Sequence, residues 1–332
     1  MALGATGRRY GSHDPGNAGN IWQRTEEPLP ALSDAQVKVR LDWLSIDPGM
    51  MGWVTNKRSY MPPVQPGEVM RAFGVGEVTE SNSSVLSAGD FVTGFTGVQT
   101  EGIFSAKALR KIDTSKAPAH EYLSGLGMTG YTAYFGMMDI GQPKAEQTVV
   151  VSAASGAVGS IAAQLARNAG ARVIGIAGGA EKAAYLQDTL KLTGAIDYKA
   201  GGVDEQMREL APDGIDIYFD NVGGEILDTA LRVINYQGTI VLCGGVSQYG
   251  NMYEATGPKE YLQMVMQSIR MQGFTMRDYM HRVPEAIEHL YQARAEGNLV
   301  FREHILEGIE KFPDAFKMLF AGENHGKLML KL

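Results

Sequence analysis

Residues 149–160, VVVSAASGAVGS, constrain this chain more than any other stretch. The apolar and small residues Val149 to Ser152 run straight into a glycine-bearing turn. Apolar residues at helical spacing then follow through IAAQLARNAG, so the order is strand, tight turn, helix. In register with G-x-G-x-x-G, Ala154, Gly156 and Gly159 occupy the three key positions. The second must lack a side chain so that a pyrophosphate can approach the backbone, and the third lets the helix pack closely on the strand. The start of that helix offers unpaired N–H groups and the positive end of its dipole to an anion. A purely structural tight turn gives the same triplet, so the flanking sequence has to decide.

Those flanks alternate. After the strand at 148–152 come a helix at 157–169, a strand at 171–177, a helix at 180–191 and a short strand near Ala195–Tyr198. A helix at 203–210, a strand at 214–220, a helix at 225–233, a strand at 238–243, a helix at 259–271 and a strand at 273–276 complete the series. Alternating strands and helices with near-continuous apolar strands such as GTIVLC imply a parallel sheet covered on both faces, a doubly wound α/β domain. Residues 1–125 read differently, as short strands in AQVKVRLDWLSI, GEVMRAFGVGEVTE and GDFVTGFTGVQTEGIFSA, the texture of a small β-barrel or sandwich. Between them, 119–140 reads as helical segments interrupted by Gly125, Gly127 and Gly130. A helix at 284–296, a strand at 299–306, a helix at 311–320 and a closing strand KLMLKL return to the first domain. The expected organisation is a β-rich domain of 1–125 completed by 277–332, and a dinucleotide-binding domain of 126–276.

Charge and cysteine usage narrow the partners. A net charge of −7, with no clustered Lys/Arg run, argues against nucleic acid or an anionic membrane and leaves a small molecule as the ligand. The single cysteine, Cys243, leaves no internal disulfide and no Cys pair for structural zinc, which fits a reducing, cytoplasmic setting. The start has no apolar signal region and no stretch approaches 18 consecutive apolar residues.

The end of the second strand of the doubly wound domain speaks to cofactor choice. An NAD site places an Asp or Glu there to accept hydrogen bonds from the ribose 2′-hydroxyl. Here the positions are Ala177, Gly178 and Gly179, with Lys182 on the first turn of the next helix and Tyr198 after the third strand. A cation and a phenol can converge on a 2′-phosphate, so the expected cofactor is NADP(H). A solvated helix lysine is the alternative reading of Lys182.

VVVSAASGAVGS, AGGAEK, AIDYK, YFDNVGGEILD, LCGGVSQYG and AGENHGKLMLKL together resemble the zinc-independent medium-chain dehydrogenase/reductases, in particular the prostaglandin reductase / leukotriene B4 12-hydroxydehydrogenase group and its bacterial curcumin-reductase-like relatives. The likeness runs from about residue 36 to the end and is weak over the first 20 residues. It implies a GroES-like catalytic domain, a Rossmann domain, a homodimer, and NADPH-dependent reduction of the C=C bond of α,β-unsaturated ketones and aldehydes. Carried over by residue, the pyrophosphate loop is Gly156, Ala157, Val158 and Gly159, and the 2′-phosphate pair is Lys182 and Tyr198. Asn221, the turn Cys243, Gly244, Gly245, Val246, Ser247, Gln248 and Tyr249, the segment Phe274, Thr275 and Met276, and Asn324 line the cofactor. Asn-Val-Gly-Gly is also good turn chemistry, so Asn221 keeps a turn-forming reading beside the cofactor one.

The chain departs from the group after Asp47-Pro48, where Gly49, Met50 and Met51 stand in place of a Tyr and a following Arg, and at the added Gly250. Zinc dehydrogenases of this broad fold use Cys and His ligands, and with Cys243 and six scattered histidines no ligand spacing is present, so no metal is expected. Enone reduction then needs a hydrogen-bond donor for the negative charge that develops on the carbonyl oxygen. Tyr249, a neutral donor near pH 7, is the first candidate, and Tyr60 in SYMPP the second. Two other functions stay open: a quinone oxidoreductase, and a non-catalytic NADPH-binding protein.

Overall fold

The computed structural model describes residues 6–12 by backbone alone and residues 22–54, 61–249 and 255–332 in full. Two compact units emerge, Met1–Ser124 with Glu303–Leu332, and Gly125–Arg302. Among the described residues no helix is long and apolar enough to cross a membrane.

The first unit begins with Thr6–Ser12 (β1) antiparallel to Trp22–Pro28 (β2), followed by Gln36–Ser45 (β3), the short helix Gly49–Val54 (α1), Phe73–Ser81 (β4), Phe91–Phe95 (β5), Glu101–Ser105 (β6) and Leu109–Lys111 (β7). Alternation in β3 buries Val37, Val39 and Leu41, the period-2 pattern of its first half, and after a register shift between Leu41 and Trp43 it is Leu44 that is buried. The Met50 and Trp53 side chains of α1 enter this same core, so the sequence departure after Asp47-Pro48 supplies core packing.

The second unit opens with Met128–Tyr134 (α2), which passes into a π-helical turn over Phe135–Gly141. Gly130 was expected to interrupt the helix but lies inside it. A Cβ there would sit 1.9 Å from the Gly125 carbonyl oxygen, so glycine permits close packing on the preceding turn. Then come Thr148–Val151 (β8), Ala157–Asn168 (α3), Arg172–Ala177 (β9), Ala180–Asp188 (α4), Gly194–Asp197 (β10), Val203–Leu210 (α5), Ile215–Asp220 (β11), Gly224–Val233 (α6), Ile234–Leu242 (β12), Val246–Tyr249 (α7), Gln263–Met266 (α8), Arg270–Gly273 (β13) and Val283–Ala295 (α9). The six strands are parallel in the order β10-β9-β8-β11-β12-β13, the doubly wound order whose switch point lies between β8 and β11. The fully buried run of β8 explains its unbroken apolar sequence.

Three expected elements differ, one of them the strand expected at 299–306, which spans only Glu303–Glu307. The helix expected at 259–271 shrinks to α8, and the strand expected at 273–276 begins and ends earlier, as β13. The apolar residues that suggested a longer helix, Tyr261, Leu262, Val265 and Met266, are exposed, and Ser268 takes a left-handed φ of 49° that ends the helix. Residues 277–302 belong to the compact second unit, where α9 packs on α2, and the chain re-enters the first unit at Glu303.

There Glu303–Glu307 (β14), Phe312–Ala321 (α10) and Lys327–Lys331 (β15) complete a sheet in the order β14-β15-β3-β4-β5-β7, with β6 also on β3. Phe312 and Phe316 of α10 pack edge-on against Trp22 of β2, with centroids at 4.8 and 5.2 Å. Lys327 is buried. Its Nζ donates to the Ile46 carbonyl (3.1 Å) and pairs with Asp47 Oδ1 (2.5 Å), while Ser45 Oγ donates to the other Asp47 oxygen.

Candidate cofactor site of the second unit

The carboxyl ends of β8 and β11 form the centre of the site. After β8, Ala153 adopts φ 47° and turns the chain so that Gly156 caps α3. Gly156 N donates to the Ala153 carbonyl at 2.9 Å. A Cβ on Gly156 would stand 3.1 Å from that carbonyl oxygen and one on Gly159 only 2.3 Å, which is why helix and strand approach this closely only through glycine. The cap offers no side-chain oxygen and the first turn holds no acid, so the first N–H groups of α3 have no built-in anion. A helix start of this kind suits an anion.

Across the switch point, Asp220 ends β11 as a fully buried carboxylate. It accepts from Val222 N (3.0 Å), Gly223 N (3.0 Å), Ser152 Oγ (3.1 Å) and Tyr218 Oη (3.0 Å). Burial pushes its carboxyl above the usual range, and the backbone and hydroxyl donors pull in the other direction. Asn221 cross-links the two strand ends, its N to Ser152 Oγ (2.8 Å) and its Nδ2 to the Ser152 carbonyl (2.7 Å). These bonds tie Asn221 across the strand ends beside the cradle.

From β12 the chain folds back over this end. Cys243 N and Gly244 N donate to the Asp220 carbonyl (2.9 and 3.0 Å), Val246 N to Asn221 O (3.0 Å), and Ser247 Oγ to Val222 O (2.6 Å). Burial, reinforced by Asp220, pushes the Cys243 thiol up to about 12, so it is neutral at physiological pH. The Tyr249 hydroxyl turns toward its own loop, accepting from Gly245 N at 3.4 Å. Gln248 Oε1 accepts from Thr256 N at 3.4 Å. Tyr60 and Gly250 lie outside the described residues.

The β9–β10 corner gathers the cations Lys182, Lys199 and Arg302 together with the carboxylates of Glu181 and Asp197. Gly179 has φ 96°, open only to glycine, and its N donates to Asp197 Oδ1 at 2.7 Å. The Tyr198 ring lies on Gly178, where a Cβ would stand 2.7 Å from the ring, and remains about half exposed. Lys182 is half-buried, and burial followed by the charges of Lys199 and Arg302 lowers its pKa. Arg302 pairs with Glu181 (2.9 Å) and stands 4.7 Å over the Tyr185 ring. The sequence names Lys182 and Tyr198 as candidates here, and the structure adds Lys199 and Arg302 beside Lys182. Lys199 was legible as the neighbour of Tyr198, whereas Arg302 reaches this corner only through tertiary folding.

Phe274, Thr275 and Met276 follow β13, at the opposite end of the sheet from Lys182. Asn324 belongs to the first unit, where its Nδ2 donates to Gly326 O at 2.8 Å. Among the described residues no group of three or more His, Cys, Asp or Glu side chains is placed to hold a metal ion.

Known proteins share this arrangement. A family model described as the N-terminal domain of oxidoreductase matches residues 18–112, and one described as zinc-binding dehydrogenase matches residues 157–292. YfmJ of Bacillus subtilis (strain 168), described as an NADP-dependent oxidoreductase, is 43% identical over 308 residues, covering 92% of this chain and 91% of its own. The chain belongs to the medium-chain dehydrogenase/reductases. Within that family, the NADPH-dependent curcumin reductase of Escherichia coli (strain K12) is 37% identical over 331 residues, covering 98% of this chain and 94% of its own. CurA from Vibrio vulnificus, solved in complex with NADPH, aligns with a TM-score of 0.92 at 37% identity over 98% of this chain and 99% of that one. The two units are accordingly the family's GroES-like and Rossmann folds.

Proposed function

We propose that this protein is an NADPH-dependent reductase of the carbon–carbon double bond of α,β-unsaturated ketones and aldehydes. The observation that carries the cofactor half is the β9–β10 corner, where glycines replace the acid of an NAD site and Lys182, Lys199 and Arg302 gather their charge. Likeness to a curcumin reductase supports the substrate half, since curcumin is itself a conjugated enone. When bound, NADPH supplies hydride to the β-carbon of such an acceptor.

The chain's own residues then divide the work. The uncapped start of α3 and its glycines take the pyrophosphate, and Lys182 with Tyr198 the 2′-phosphate. The segments Cys243–Tyr249 and Phe274–Met276, together with Asn221, orient the other half of the dinucleotide, and Asn324 is a further candidate for binding it. Tyr249 donates a hydrogen bond to the carbonyl oxygen as charge builds there, with Tyr60 as the second candidate. We assign the cofactor role and the first donor candidate, Tyr249, to the second unit, and the second candidate, Tyr60, to the first. The enzyme works as a homodimer in the cytoplasm.

Purified protein mixed with NADPH is the test, assayed against a conjugated enone, a 2-alkenal and a quinone. Turnover of the first two above the third is expected. A preference for the quinone assigns quinone reduction instead, and cofactor binding with no turnover of any acceptor rejects an enzymatic role.

A further inference from the structure

Arg282 sits at the start of α9, outside the cofactor site as described, and joins three elements of the second unit. Its Nε and Nη2 donate to the two Glu285 oxygens (3.0 and 3.1 Å) and its Nη1 to Asp139 Oδ1 (2.8 Å). The guanidinium also lies 5.2 Å from the Phe135 centroid and 5.8 Å from that of Tyr279. Tyr134 Oη donates to Glu285 Oε1 at 2.9 Å, and burial with that carboxylate pushes the phenol up to about 12, so it remains a donor. Burial, and then Asp139, likewise push the Tyr279 phenol up.

Rings extend this cluster toward the end of β13. Phe135, fully buried, stacks on Tyr279 at 4.5 Å and 20°, and Tyr279 meets Phe274 edge-to-face at 6.0 Å and 84°. Phe274 in turn lies over Gly136 in the π-helical turn. A Cβ there would stand 2.8 Å from Phe274 Cζ and 2.7 Å from Phe219 Cε2. The π-helical widening, a feature enriched at functional positions, therefore presents a bare backbone surface to Phe274, with Asp139 three residues further on to receive Arg282.

In the doubly wound order, Lys182 marks the 2′-phosphate half of the dinucleotide at β9–β10, so the β11–β12–β13 end takes the nicotinamide half. We infer that Arg282 is a positioning residue whose fork to Glu285 and Asp139, with its stack on Phe135 and Tyr279, clamps Phe274–Met276 onto the π-helical turn as a fixed wall for the nicotinamide half. The inference rests on the proposed cofactor reading for its functional meaning, while the clamp itself is a property of the free protein. A planar fork spanning two carboxylates and two rings is a task that the point charge of lysine does not reproduce.

The test compares wild type with Arg282→Gln and Arg282→Lys in three measurements. The first is hydrogen exchange of the Asp278, Tyr279 and Arg282 amides, which bond to Thr275, Met276 and Tyr279 carbonyls in the free protein. In Arg282→Gln these should exchange about tenfold faster or more, with the amides of β8 and β9 unchanged. The second is NADP+ affinity by fluorescence titration, expected to weaken roughly 3- to 10-fold while the preference for NADPH over NADH stays at the wild-type ratio. The third is facial selectivity with NADPH deuterated on one or the other face of C4, expected to fall from single-face transfer to a mixture. Arg282→Lys should restore less than half of each effect. Unchanged exchange and unchanged facial selectivity overturn the clamp. If Arg282→Gln does not fold, Asp139→Asn and Glu285→Gln each remove one anchor and should give intermediate shifts; two wild-type profiles again overturn it. Wild-type protein that binds no NADPH sinks the cofactor reading instead, and the exchange data then judge the clamp alone.

Discussion

Replacing Lys182 by alanine removes a half-buried cation from a corner shared with Lys199 and Arg302. A charge-assisted hydrogen bond contributes about 1.5 to 3 kcal/mol. At about 1.4 kcal/mol per decade, Lys182→Ala should weaken NADPH roughly 10- to 100-fold. The lower end is favoured, because Lys199 and Arg302 remain and their mutual repulsion with Lys182 is relieved. NADH, which carries no 2′-phosphate, should change less than about twofold. The same cluster gives a pH signature. Burial and the two neighbouring cations lower the Lys182 pKa, so as pH rises the free protein loses this charge earlier than an ordinary lysine would. NADPH affinity should therefore fall on the alkaline side while NADH affinity stays level, and the difference should vanish in Lys182→Ala. Fluorescence titration with both cofactors from neutral to alkaline pH measures this directly. Equal losses for NADPH and NADH, or a flat pH profile in the wild type, would refute the assignment of Lys182 to the phosphate.

Three further substitutions probe the frame and the chemistry. In Gly159→Ala the new Cβ would lie 2.3 Å from the Ala153 carbonyl oxygen. The variant should lose NADPH binding and about 1 to 3 kcal/mol of stability, read by titration and thermal melting. Lys327→Ala leaves the Asp47 carboxylate without its buried cation and should cost about 3 kcal/mol in a denaturant melt, at the low end of the range for breaking a buried pair because Asp47 retains the Ser45 hydroxyl. Tyr249→Phe should lower kcat roughly 10- to 1,000-fold with little change in cofactor affinity; an unchanged rate moves the donor role to Tyr60 or to the cofactor ribose.

The cradle was legible because its determinants are local: four buried residues in β8, glycine at positions 156 and 159, and helical spacing beyond them. Lys182 was legible through the missing acid at Ala177–Gly179. Arg302 was not, since it lies 121 positions from its Glu181 partner and reaches it only across the folded unit. The segment 259–271 misled because an apolar pattern reports helix only when one face is buried, and Val265 is 78% exposed. Gly130 misled in the opposite direction, because glycine inside a helix costs propensity yet here admits the Gly125 backbone. The hydrogen bonds around Asp220 unite residues 152, 218 and 220–223, a network that follows from strand order and not from spacing.

The central claim is hydride delivery to the β-carbon of a conjugated carbonyl compound, and isotopic labelling tests it most directly. An enone is incubated with the protein and NADPH carrying deuterium at the transferred position of C4, and the product is analysed by mass spectrometry and NMR. A saturated ketone with deuterium at the former β-carbon is the predicted result. An allylic alcohol with deuterium on the carbinol carbon would contradict the account.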